Sequence, residues 1–187
     1  MVQIRRGVFE TNSSSTHSIT VMKKVPREPS DLVIGDDGYI HAKLGGYGWE
    51  FRTLATQEEK LSYLLTMAWE KSTERDYYYG DPERCERAIS RFMESDEYVR
   101  ISKKIAEYTG SYGILLDNTA EDDAYIDHQS EEDYLNVSNF LYINNTTILD
   151  FVFSPGVVVR TGNDNEPDPE TKLLIKPLFE EWFDFRE

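Results

Sequence analysis

The residues best suited to chemistry sit together near the start of the chain. Glu10, Thr11, Asn12, Ser13, Ser14, Ser15, Thr16 and His17 follow one another without an apolar residue, and Arg5 and Arg6 precede them. Hydroxyls both donate and accept, and a kinked backbone beneath them turns its N–H groups toward an anion. An arginine close by in the chain can clamp the same anion bidentately. Side chains alternate along a strand, so only one of Arg5 and Arg6 can face that anion. His17 has the chemistry of a general base and Ser14 that of a nucleophile it could activate. The competing reading is a turn whose hydroxyls satisfy their own backbone. One or two such residues suffice for a turn, and this run is much longer.

Two later stretches have the same character. Asp127-His128 ends an apolar segment, and Arg160-Thr161-Gly162 leads into Asn163-Asp164-Asn165. Asp127 can orient the imidazole of His128, which then offers a second base. Alternatively Asp127 and His128 join Asp117 or Asp164 around a divalent cation, since carboxylate and imidazole suit Mg, Mn or Zn. No helical HExxH spacing accompanies them. His41 lies in an alternating segment without polar neighbours and reads as structural. Gly45-Gly46-Tyr47-Gly48 lacks phosphate-loop spacing and reads as a tight hairpin turn. Cys85 falls in an apolar stripe and reads as a buried thiol.

The elements that must position these residues alternate in period. Residues 2–9 and 18–25 predict two strands forming a hairpin around the polar run. Segments 31–34 and 39–44 flank a turn at Gly35-Asp36-Asp37-Gly38. Thr56 with Glu59 is a capping-box signature opening a helix that carries Leu61, Leu64, Leu65, Ala68 and Trp69 on one face. Asp81-Pro82 opens a second helix, Asp96 a third, and Gly110 stops it. Strand character returns at 113–117 and 124–130, and an N-cap signature at Ser130-Glu131-Glu132-Asp133 predicts a helix to about Leu141. Residues 146–153 and 157–160 predict strands about Pro155-Gly156, and a last helix covers 170–182. The order implies one α+β domain over 1–187. A mixed or antiparallel sheet carries an inserted helical segment at about 56–109, followed by an acidic α+β half from 110.

The 187 residues carry a formal net charge of −15, very unevenly spread. Through Lys104 there are 16 Lys+Arg against 17 Asp+Glu, and beyond it 4 against 18. No Lys or Arg occurs between 105 and 159. Such a surface repels nucleic acid and anionic membranes, so neither is an expected partner. It suits solvent, a basic protein partner, or a cation held by carboxylates. A single cysteine excludes an internal disulfide, and no secretory signal opens the chain, so a cytoplasmic setting is expected.

The opening Arg5-Arg6-Gly7-Val8-Phe9-Glu10-Thr11-Asn12-Ser13-Ser14-Ser15-Thr16-His17-Ser18 resembles the N-terminal signature of a family of uncharacterised bacteriophage and Firmicute proteins. Ile126-Asp127-His128-Gln129-Ser130 and Gly162-Asn163-Asp164-Asn165 resemble further pieces of the same pattern. The resemblance implies a phage or mobile-element setting, hence a host cytoplasm, and no particular mechanism. The leading expectation is a small phage-related protein that binds a phosphorylated or nucleotide-like ligand through Glu10–His17, sequestering or processing a host signalling nucleotide. A hydrolase or transferase using the same Ser, His and Asp residues is the second. The third is an acidic interaction protein that blocks a basic surface of a host protein.

Overall fold

The computed structural model describes residues 2–4, 19–23, 25–47, 52–72, 82–119, 124–126 and 136–161. Within them the chain is α+β, as its periodicity predicts. A four-stranded antiparallel sheet runs β1 (Val2–Ile4), β2 (Ile19–Lys23), β8 (Val157–Thr161), β5 (Arg52–Leu54). Two short parallel pairs accompany it: β3 (Ile40–Ala42) with β6 (Ile114–Leu116), and β4 (Gly46–Tyr47) with β7 (Tyr125–Ile126). Between β5 and β6 come α1 (Gln57–Glu70), α2 (Pro82–Met93) and α3 (Asp96–Thr109). After β7 come α4 (Val137–Ile143) and α5 (Ile148–Phe153). No helix of the described residues is long and apolar enough to cross a membrane.

The helix ends follow the local sequence. Thr56 accepts from the Glu59 amide while the Glu59 carboxylate accepts from the Thr56 amide, closing a capping box. Ser95 caps α3, and Gly110 ends it at φ +81°, a left-handed conformation natural to glycine. The central helix is α1, buried on nearly every side, with Leu64 and Leu65 fully inaccessible. Trp69 packs edge-on against Phe92 at 5.4 Å, and Phe92 against Tyr98 at 5.3 Å, tying α1 to α2 and α3. Tyr63 stacks toward Phe151 at 6.4 Å and so joins α1 to α5. Cys85 is buried in this core, as its stripe implies.

Three segments differ from expectation. Ile148–Phe153 is a helix, not a strand, because Thr147 caps it: the Asp150 amide donates to the Thr147 hydroxyl, which donates to the Asp150 carboxylate. Gly46–Tyr47 is a parallel strand and not a hairpin turn, held beside β7 and anchored when the Gly45 amide donates to Thr66. The first arm of the 31–44 hairpin contributes only a single bridge, Ile34 to Ile40. The expected N-cap at Ser130 and the helix at 170–182 lie outside the described residues.

The turn into β8 is built on Ser154. Its carbonyl accepts from the buried Lys60 ammonium at 2.8 Å, and its hydroxyl donates to the Val25 carbonyl. Lys60 is only 1% exposed, and burial pushes its ammonium down from 10.5 to about 8, against the pull of Glu28 and Asp31.

Candidate functional site

Arg5, Arg6, Glu10, Thr11, Asn12, Ser13, Ser14, Ser15, Thr16, His17, Asp127, His128, Asn163, Asp164 and Asn165 all lie outside the described residues. The strands from which these stretches depart are described, and their registers fix where each stretch begins. In the antiparallel ladder Ile4 stands opposite Val21, Ile19 opposite Arg160, and Thr161 opposite Arg52. The end of β1, the start of β2, the end of β8 and the start of β5 therefore share one end of the sheet. The Ser-rich run leaves and re-enters the sheet there, and the stretch beginning at Gly162 leaves there too.

The third stretch departs from β7. Tyr47 stands opposite Ile126, and the four residues between Tyr47 and Arg52 limit those two to about 18 Å of separation. Ile126 is fixed by Glu70, whose carboxylate accepts the Ile126 amide at 3.1 Å. Glu70 is 5% exposed and ends α1, where the helix dipole opposes a carboxylate. An acid placed against the dipole needs another reason to be there, and this amide supplies one. Sequence reading passed over Glu70, although its position in the last turn was a legible signal.

At the sheet end itself, β8 alternates. Val157, Val159 and Thr161 face the core, while Val158 and Arg160 are half-buried on the other face. Directly across the ladder from Arg160 is the exposed Thr53. Nε and Nη1 of Arg160 are buried and have no hydrogen-bond partner, the only nitrogens so placed among the described residues.

A second polar constellation lies on the β3–β6 pair. His41 Nδ1 contacts Asp117 at 3.0 Å, and its Nε2 contacts Asp37 at 2.9 Å. This corrects the reading of His41 as free of polar neighbours. Asp37 is one turn back in the Gly35–Gly38 bend, and Asp117 arrives from the distant end of β6. A carboxylate on each nitrogen favours the protonated imidazole, so Asp117 and then Asp37 raise its pKa above the ordinary 6.5. The Asp37 carboxyl is lowered in turn, chiefly by the Tyr39 amide and then by His41. Asp117 is thus engaged by His41, on a side of the ring opposite Asp37, which is the wrong geometry for chelation. Among the described residues no group of three His, Cys, Asp or Glu could hold a metal ion.

Searches against family models, curated proteins and solved structures find no match to this chain.

Proposed function

We propose that the chain binds a phosphorylated or nucleotide-like ligand at the end of the four-stranded sheet, through Glu10–His17 assisted by Arg5 or Arg6. The observation that carries this reading is the shared strand end. The end of β1, the start of β2 and the end of β8, to which the Ser-rich run and the stretch after Thr161 are joined in sequence, lie at the same end of the sheet. A hydroxyl-rich run whose two roots are pinned by a ladder has part of its ordering entropy already supplied, which favours a ligand cup over a free turn. Asn163, Asp164 and Asn165 are near enough in the chain to contribute donors and a hydroxyl acceptor. In the phage setting implied by the opening signature, the ligand is a small host signalling nucleotide that the protein sequesters or processes.

Native mass spectrometry of the full chain purified from cells tests this, followed by titration with a nucleotide panel. A co-purifying phosphorylated ligand, or saturable binding of a panel member that Ser14→Ala weakens, supports the reading. Absence of both across mono-, di-, tri- and cyclic nucleotides overturns it.

A further inference from the structure

We infer that Arg160 is an anion-binding cation of this protein, its buried Nε–H and Nη1–H groups receiving an oxyanion of the phosphate class at the sheet end. A guanidinium cannot shed its charge at any ordinary pH. Burying its N–H groups without acceptors is costly, and native proteins rarely leave such groups unpaired. Arg160 does so on both Nε and Nη1. No carboxylate of the described residues lies within ion-pair distance of it.

Its setting points to an anion from outside rather than a pairing inside. Arg160 is the only Lys or Arg between Lys104 and Lys172, in the half of the chain that is otherwise acidic. A basic residue kept in that stretch, on the sheet face opposite the core, with its donors turned into a buried place, is arranged to accept charge. Its neighbours in the ladder are Thr53, whose hydroxyl can donate to the same anion, and Ile19, the residue that follows the Ser-rich run. Phosphate oxygens suit this site because they accept several charge-assisted bonds at once. The inference rests on the proposed ligand class, but its test separates the two.

The test titrates the full chain with inorganic phosphate and with ADP, in the wild type, Arg160→Gln, and a Ser13→Ala/Ser14→Ala/Ser15→Ala triple variant. Nitrogen-15 NMR of the arginine Nε–H groups is followed alongside. The expected result is a shift of the Arg160 Nε–H signal on adding phosphate, and binding about tenfold weaker or worse in Arg160→Gln. Without ligand, Arg160→Gln should melt no lower than the wild type, because it removes an unpaired buried cation. Equal binding by Arg160→Gln and the wild type overturns the role of Arg160 while leaving the serine-run reading intact. Weakening in Arg160→Gln with none in the triple variant does the reverse. A strongly lowered melting temperature of ligand-free Arg160→Gln, together with an unmoved Nε–H signal, shows the guanidinium paired within the chain and overturns the inference.

Discussion

Lys60 gives the most quantitative prediction, because its ammonium is buried with one acceptor. Burial holds its pKa near 8, against 10.5 for a free lysine. The proton therefore binds more tightly to the unfolded chain than to the folded one. Below pH 8 both states carry it, and the buried charge opposes folding in full. Between pH 8 and 10.5 the folded chain releases it first, so the unfolded state binds more protons and stability rises with pH. At about 1.4 kcal/mol per pH decade, that window is worth roughly 3 kcal/mol. Lys60→Met keeps the length and volume of the side chain and removes the charge. It also removes one of the two donors to the Ser154 carbonyl, which keeps the Val157 amide, a loss of about 0.5–1.5 kcal/mol that does not depend on pH. The assay is urea unfolding of both chains from pH 7 to 10.5. Tyrosine ionisation occurs in both and cancels in the difference. The wild type should gain roughly 3 kcal/mol on the variant across the window, and parallel curves would refute a buried, charge-opposed Lys60.

Three further outcomes follow from named contacts. The His41 imidazole should titrate above 6.5 by NMR; the stability it contributes is complete below 6.5 and is lost as pH rises through its folded value, and a titration at or below 6.5 would contradict the two-carboxylate clamp. Glu70→Leu should cost about 1–3 kcal/mol more than Glu70→Gln, with faster exchange of the Ile126 amide, since only the leucine leaves that amide without an acceptor. Thr56→Ala should lose about 1 kcal/mol through the opened capping box, and an unchanged urea midpoint would show that the box does not support α1.

Local signals in the sequence were readable where the physics is local. The Thr56–Glu59 box, Pro82 at the head of α2 and Gly110 at the end of α3 each act within one turn, and each stands where it was expected. Ile148–Phe153 misled because a short, mostly apolar run broken only by Asp150 fits a buried helix as well as a strand. Thr147 with Asp150 held the deciding cap. The parallel pairs were not legible, since Tyr47 meets Ile126 and Ile40 meets Ile114 only through long crossovers. His41 misled for the same reason: its stronger partner, Asp117, is 76 residues away. Lys60 was legible by phase, for it falls one turn before Leu64 on the buried face of α1. Arg160 was legible by charge, as the lone cation of a long acidic stretch, but not by its missing acceptors, which depend on what packs around it in space.

The most direct measurement is an experimental structure of the full chain crystallised with phosphate and, separately, with a nucleotide found to bind. Density for an oxyanion within hydrogen-bonding distance of Arg160 Nε and Nη1, at the end of the sheet where β2 and β8 meet, is the predicted result. A guanidinium closed by a carboxylate of the chain itself, with no ligand at that end, would contradict it.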